Sequence, residues 1–356
     1  MNDMKSIVLS FAKKQNMTDL QNSILSGEYS VLDENEHRGR NIMLMTLGGS
    51  WSYGTNVEGS DVDIRGIALN RPSDLIGLTN FEQVVHESTD TTIYAFNKVI
   101  NLLLNCNPNV IEMLGCKPDH YAYLSDAGKA LLDNRKLFLS QKAIRSFGGY
   151  AMQQLHRLEN AIARDKLPQE KKEQHMLESI LNAMEIFSDR YTDLPEGSLR
   201  AYVGKSSKDN MDSEVMVDVS LHGYPMRDFT SVIQDMKTIV RDYDKLNGRN
   251  HKKDDAHLNK HAMHLVRLYL TCTDLMEQGD IITYREKDHD LLMSIRNGAF
   301  MNSDGTFRPD FFDMIEDLRQ KTEYAKEHTV LPKLPDFNKV QEFVMEINKK
   351  VLEDLL

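Results

Sequence analysis

Two short polar motifs in the N-terminal third of the chain carry residue types that can do chemistry. The first is Gly48-Gly49-Ser50, which directly follows an apolar run, IMLMTL. The second is Asp61-Val62-Asp63, a short distance further along the chain. Carboxylates spaced by two on an extended strand project from one face, with their Cα atoms roughly 7 Å apart. Such a pair repels unless a cation lies between its members, and oxygen ligands of this kind suit Mg²⁺ or Mn²⁺.

The glycine motif is suited to a phosphate group. Glycine lets a backbone approach a ligand closely, so Gly49 and the Ser50 hydroxyl are candidates for contacts with phosphate oxygens. The motif is not a P-loop, because the sequence contains no G-x-x-x-x-G-K-[ST]. Taken alone, Gly-Gly-Ser also fits a plain turn, and the aspartate pair also fits a solvated strand edge. The two motifs together, within strand-like surroundings, favour a metal and phosphate site.

The elements that must position these motifs follow from the hydrophobic pattern. Apolar and alternating runs predict three strands, at residues 42–47, 61–69 and 91–96. Pro108 breaks the helix that follows the third strand or separates two short ones. Further along, three- and four-residue apolar spacing predicts helices, with a β-hairpin over 214–226. We therefore predict an α+β fold: a small mixed-sheet core over residues 1–130, then a mainly helical domain over 131–356.

Composition narrows the class of protein. The 356 residues carry a net charge of -11, which argues against a general nucleic-acid coat but fits an acidic pocket that collects Mg²⁺. No apolar run reaches the roughly 18 residues of a membrane span, and the N-terminus lacks the features of a secretory signal. The three cysteines are too few and too scattered for a disulfide framework or a zinc site. A reducing cytoplasm is the expected compartment.

At this point the motifs resemble a known family. The pattern GGS…GT…SDVDIRG resembles the signature of the polymerase-β nucleotidyltransferase superfamily, which has a strand, Gly-Ser, and Asp-x-Asp on the next strand. Three segments, SYGT with SDVDIRGI, NCNPNVIEML, and KHAMHLVRLYLTCTDLMEQG, resemble blocks of the RNA-repair-pathway DNA polymerase β family within it. The resemblance spans about residues 40–120 and 255–300.

The resemblance implies a polymerase-β-like core that transfers a nucleoside monophosphate from an NTP to a hydroxyl acceptor and releases pyrophosphate. It implies that Asp61 and Asp63 hold two Mg²⁺ or Mn²⁺ ions with a third carboxylate from a following strand. We choose Asp90 for that carboxylate, before the strand at 91–96, with Glu87 as its rival. Asp90 is also a candidate to accept the proton of the acceptor hydroxyl.

Cationic residues are candidates for the triphosphate. Lys260, His264 and Arg267 share one face of a predicted helix, and the resemblance favours Lys260 first, then Arg267, as phosphate ligands; a solvated face with a packed histidine is the alternative. Arg65 either contacts phosphate or neutralises the acidic cluster. Trp51 and Tyr53 either stack on a base or pack.

The identity of the acceptor stays open at the level of the sequence. The resemblance puts an RNA 3′ end, such as that of a tRNA, first among the acceptors. A protein hydroxyl, a small molecule or another nucleotide would keep the chemistry and change the acceptor. A nucleotide-binding protein without catalysis is the alternative of another class.

Overall fold

A computed structural model of the protein describes residues 41–166, 198–206, 213–226, 229–234, 236–237 and 254–353, with the positions 171, 173–175, 177–178 and 181. It divides the chain into two compact units. The first holds residues 1–152, 263–295 and 312–356, and the second holds 153–262 and 296–311. The predicted boundary at residue 130 stays a prediction; each compact unit is discontinuous in sequence.

The first unit is built on a five-stranded mixed sheet with the strand order β3-β4-β2-β1-β5. Its strands are β1 (Ile42–Leu47), β2 (Ile64–Ala68), β3 (Gln83–His86), β4 (Thr91–Ala95) and β5 (Tyr121–Leu124). Strands β2 and β4 are parallel, and the other neighbours are antiparallel. The predicted α+β class with a mixed-sheet, polymerase-β-like core and a helical C-terminal region is confirmed.

Strand β1 lies inside the sheet, and all six of its residues are buried. It pairs with β2 on one side and β5 on the other. A buried cluster that includes Ile42, Leu47 and Phe81 packs on the sheet, and Trp51 packs against this cluster. The indole N–H of Trp51 also donates to the Ser60 carbonyl at 3.4 Å, which supports the packing alternative for this residue.

The predicted strands at 42–47 and 91–96 match β1 and β4 closely. The predicted strand at 61–69 is too long, because the ladder with β1 ends where Leu47 meets Ile64, and the residues before Ile64 lie outside the sheet. Strands β3 and β5 were not predicted; each has only four residues and none of them is fully buried.

The described α-helices alternate with these strands along the chain and then follow them. They are α1 (Gly49–Tyr53), α2 (Pro72–Leu75), α3 (Phe96–Leu104), α4 (Pro108–Ile111), α5 (Asp126–Asp133), α6 (Lys142–Lys166), α7 (Asp255–Gln278), α8 (His289–Arg296), α9 (Pro309–His328) and α10 (Phe337–Leu352). Pro108 separates α3 from α4, as one of the two alternatives predicted. In the described ranges, no helix combines the length and apolar character that crossing a membrane requires.

The second unit contains a two-stranded antiparallel sheet of β6 (Leu199–Lys205) and β7 (Ser213–Val219). The predicted hairpin over 214–226 is therefore wrong in its pairing. Its alternating valines belong to β7, but the partner strand lies upstream. Gly223, with a φ of +70°, lies in a turn after β7 instead of between two strands.

Candidate active site

The glycine motif forms a tight turn between β1 and α1. Gly48 is extended, and Gly49 has a φ of +54°, in the left-handed region that favours glycine. The Gly48 N–H donates to the Asp63 carbonyl at 2.8 Å, and the Ser52 hydroxyl donates to the Gly49 carbonyl at 2.8 Å. The first of these bonds fastens the turn to the aspartate motif.

Gly49 also makes room for an aspartate side chain. A Cβ atom at this position would lie 1.6 Å from Oδ2 of Asp63, and one at Gly48 would lie 2.9 Å from Cγ of Arg65. Both glycines therefore allow the side chains of Asp63 and Arg65 to approach the backbone of the turn. This is the close approach that the sequence predicted for a ligand, and here a carboxylate of the chain itself makes it.

Parallel pairing of β2 and β4 brings two carboxylates to one edge of the sheet. Ile64 pairs with Thr91, so Asp63 and Asp90 immediately precede paired residues on neighbouring parallel strands. Asp90 has a φ of +41° and its carbonyl accepts the N–H of Ile64 at 3.1 Å. Asp61 is exposed on the segment before β2, and Glu87 is exposed on the turn before Asp90.

Arg65 joins the two carboxylates. Its Nη2 donates to Oδ1 of Asp63 at 3.1 Å and to Oδ1 of Asp90 at 3.2 Å, and its Nη1 donates to the Asp90 carbonyl at 2.6 Å. Since Asp90, and not Glu87, makes these contacts, Asp90 stays our choice for the third carboxylate. The side chain of Arg65 neutralises the acidic cluster in this arrangement, as one of the two predicted alternatives states.

The donor set fits a divalent cation. Asp63 and Asp90 already face one positive charge from two sides, and carboxylate oxygens are the ligands that Mg²⁺ prefers. Among the described residues, no three side chains of His, Cys, Asp or Glu converge in the arrangement of a preformed metal site. The roles of Asp61, Asp63 and Asp90 as metal ligands therefore stay predictions.

A cavity of about 220 Å³ opens beside the turn. Its lining includes residues of the turn and of neighbouring elements: Gly48, Gly49, Arg65, Thr92, Tyr94 and Asn109. Ser52, from the same turn, also lines the cavity, whereas Ser50 does not, although both residues are buried. Ser50 was predicted from the sequence, whereas Ser52, Thr92, Tyr94 and Asn109 were not.

A signal for two of the missed residues was present in the sequence. Thr92 and Tyr94 alternate along β4, two and four residues after Asp90, so both fall on one side of the strand. Their partners on β2, Arg65 and Ile67, show the same alternation.

A buried cluster of Tyr53, Glu112 and Arg267 borders the cavity, with Tyr53 and Glu112 on its wall. The Tyr53 hydroxyl donates to Oε2 of Glu112 at 2.6 Å, and Nη1 of Arg267 donates to Oε1 of Glu112. The guanidinium carbon of Arg267 lies 3.7 Å from the centre of the Tyr53 ring. Burial raises the pKa of Tyr53 well above its ordinary value, so the hydroxyl stays protonated and acts as a donor.

In this cluster the guanidinium of Arg267 pairs with Glu112, whereas the sequence predicted that Arg267 binds phosphate. Arg267 is only 6% exposed, and both Tyr53 and Glu112 stand on the cavity wall in front of it. Its predicted contact with the triphosphate stays a prediction. Lys260 is exposed and belongs to the second compact unit, so its predicted role in nucleotide binding also stays a prediction.

A family model matches residues 26–212, which is just over half of the chain, and includes the glycine turn, the three aspartates and the cavity residues. The chain belongs to the RNA repair pathway DNA polymerase beta family. This membership confirms the resemblance drawn from the motifs. It indicates nucleotidyltransferase activity in general terms. No curated protein and no solved structure matches the chain.

Proposed function

We propose that this protein is a metal-dependent nucleotidyltransferase that moves a nucleoside monophosphate from an NTP to a hydroxyl acceptor on RNA. The observation that carries the proposal is the placement of the Asp63 and Asp90 carboxylates around the Arg65 guanidinium. The Asp63 carboxylate also lies against the backbone of Gly49. Two carboxylates beside a glycine turn suit the transfer of a phosphoryl group, in which positioning and charge neutralisation do most of the catalysis.

The chain's own residues divide the work. Gly48, Gly49 and Arg65 line the cavity, where an arginine and a close backbone suit triphosphate oxygens. Asp61, Asp63 and Asp90 would hold Mg²⁺ or Mn²⁺, which when bound neutralises phosphate charge and makes an acceptor hydroxyl more acidic.

The transfer balances as a single displacement. The acceptor oxygen forms a bond to the α-phosphorus, and the bond from that phosphorus to the oxygen bridging it to the β-phosphate breaks. Pyrophosphate leaves with the electron pair of the broken bond. Asp90, whose side chain is 56% exposed, accepts the acceptor's proton and can pass it to solvent.

An RNA 3′ end is the proposed acceptor. The family description names an RNA repair pathway, and the hydroxyl of a 3′ end presents the nucleophile that the reaction needs. The net charge of -11 disfavours tight binding along a whole RNA backbone, so recognition of an end through a few local contacts fits the charge better.

The test is a labelling assay. Each α-labelled NTP is incubated with the protein, Mg²⁺ or Mn²⁺, and total tRNA, a protein lysate or a mixture of nucleotides. Label in the tRNA supports the proposal. Label in protein or in a small product keeps the chemistry and replaces the acceptor, and NTP binding without any release of pyrophosphate makes the chain a nucleotide-binding protein instead.

The matched variants are Asp63→Asn and Asp126→Asn. Removing groups that merely orient metal ligands lowers activity about 10- to 100-fold, so we expect Asp63→Asn to lower it more than about 100-fold. Asp126 is exposed and bonded to Lys129 at 2.8 Å, so its variant should keep wild-type activity. Equal activity in the two variants contradicts the assignment of Asp63.

A further inference from the structure

We infer that Arg65 is a built-in competitor of the metal ion: its guanidinium holds the carboxylate oxygens of Asp63 and Asp90 until a divalent cation displaces it towards the triphosphate. The inference rests on the proposed function, because it takes these two aspartates as metal ligands. It adds a control on metal loading that the transfer chemistry itself does not require.

The guanidinium of Arg65 makes most of its hydrogen bonds with Asp63 and Asp90. One nitrogen, Nη2, donates to Oδ1 of Asp63 and to Oδ1 of Asp90, at 3.1 and 3.2 Å. The other, Nη1, donates to the Asp90 carbonyl, to Oδ1 of Asp90 and to the Ile64 carbonyl at 2.6, 3.2 and 3.1 Å. The guanidinium therefore already takes the place of a cation that both carboxylates share.

The strand register explains why this arginine reaches both aspartates. Arg65 is the second residue of β2 and Asp63 directly precedes the strand, and the guanidinium reaches back over this short separation to Oδ1 of Asp63 at 3.1 Å. The partner of Arg65 across the parallel ladder is Thr92, two residues after Asp90. A cation that binds the Oδ1 atoms of both aspartates therefore competes with Arg65 for them.

The cavity offers the displaced guanidinium a second set of acceptors. Arg65 lines it together with Gly48 and Gly49, on the side of the turn where we place the triphosphate. Its planar fork matches phosphate as well as carboxylate. Metal and nucleotide binding are thereby coupled, because the nucleotide supplies Arg65 with oxygens in exchange for those that the metal takes.

The test measures metal binding without nucleotide. Mn²⁺ is titrated into the full chain and free Mn²⁺ is followed by its electron paramagnetic resonance signal. Partly exposed ion pairs are individually weak, and two of them are lost together in Arg65→Gln, so we expect this variant to bind Mn²⁺ about three- to tenfold more tightly than wild type. Arg319→Gln removes the same charge from an exposed pair with Glu316 on α9 and should bind Mn²⁺ like wild type.

A second variant keeps the test informative if Arg65→Gln does not fold. Arg65→Lys retains the charge but replaces the fork by a point charge that cannot engage both carboxylates equally well, so its Mn²⁺ affinity should lie above that of wild type. Wild-type or weaker Mn²⁺ binding in the folded Arg65 variant overturns the inference. An equal gain in Arg319→Gln also overturns it, because the effect would then be one of net charge.

The outcomes for this inference and for the proposed function can be told apart. If Asp63→Asn loses Mn²⁺ binding and Arg65→Gln gains it while no NTP is turned over, the competition stands and nucleotidyl transfer fails. If wild type turns NTP over and Arg65→Gln binds Mn²⁺ as wild type does, transfer stands and the competition fails.

Discussion

Replacing Gly49 by alanine should lower both the stability of the fold and the catalytic activity, for two different reasons. Two costs arise from the structure. The first is the φ of +54°, which an alanine adopts at a cost of about 1–2 kcal/mol. The second is the contact of 1.6 Å between the new Cβ and Oδ2 of Asp63. Because real Cβ atoms essentially never approach closer than 3.0 Å, that oxygen must retreat by about 1.4 Å.

The two costs should appear in different measurements. Asp63 is a partly exposed side chain that can rotate, so its displacement adds little to the loss of stability. For activity, however, a misplacement of about 1 Å costs roughly 100-fold, which corresponds to about 2.7 kcal/mol of barrier. We expect Gly49→Ala to lower the unfolding free energy in urea by about 1–2 kcal/mol and to lower pyrophosphate release at least about 100-fold.

Gly279→Ala is the matched control. Gly279 has a φ of +59°, and the nearest atom to its added Cβ is Cδ2 of Leu331 at 3.7 Å, an ordinary contact. The control should therefore lose the same stability of about 1–2 kcal/mol and keep its activity. Activity of Gly49→Ala within about threefold of Gly279→Ala, at equal folded fractions, would refute the reasoning that Gly49 places the Asp63 carboxylate.

Three further outcomes follow from other parts of the first unit. Glu112→Gln leaves the buried Arg267 without its counter-charge and should lower the unfolding free energy by about 3 kcal/mol, with partial recovery in Glu112→Gln/Arg267→Met; a loss below about 1 kcal/mol speaks against the pair. Burial lowers the pKa of His120 below its ordinary 6.5, so the unfolded chain takes up the proton first. The contribution of His120 to stability is then present above 6.5 and lost as the pH falls through the lowered pKa, a loss that His120→Asn should reduce in urea titrations at several pH values. Burial also raises the pKa of Cys116 to about 12, so its thiol should resist iodoacetamide in the native protein at neutral pH, as followed by mass spectrometry, although it lines the cavity; alkylation as fast as in the unfolded chain would contradict this.

The sequence predicted the parts of the fold that are strongly patterned. Strand β1 is recognisable because a six-residue run, apolar except for Thr46, ends at two glycines, and β4 because it alternates. The edge strands β3 and β5 escaped prediction because four residues give too short a pattern to distinguish from a loop. The pairing of β7 was also beyond local pattern, since its partner strand lies upstream across an intervening segment.

The candidate site was predictable in its residue types but not in its contacts. Asp63 and Asp90 are far apart in sequence, and only the parallel pairing of β2 with β4 makes them neighbours. The bridge by Arg65 depends on that pairing too, so the sequence left its two alternatives open. The ion pair of Arg267 with Glu112 joins residues 155 positions apart, which no spacing rule on one helix can anticipate.

The most direct test of the central claim is a crystal structure of the protein with Mn²⁺ and an NTP analogue that cannot be cleaved between the α- and β-phosphates. We expect an anomalous Mn²⁺ peak within coordination distance of the Asp63 and Asp90 carboxylates, with the triphosphate beside Gly49 and the Arg65 guanidinium moved onto phosphate oxygens. Mn²⁺ bound elsewhere, with Arg65 still joining the two carboxylates while the nucleotide is in place, would contradict the central claim.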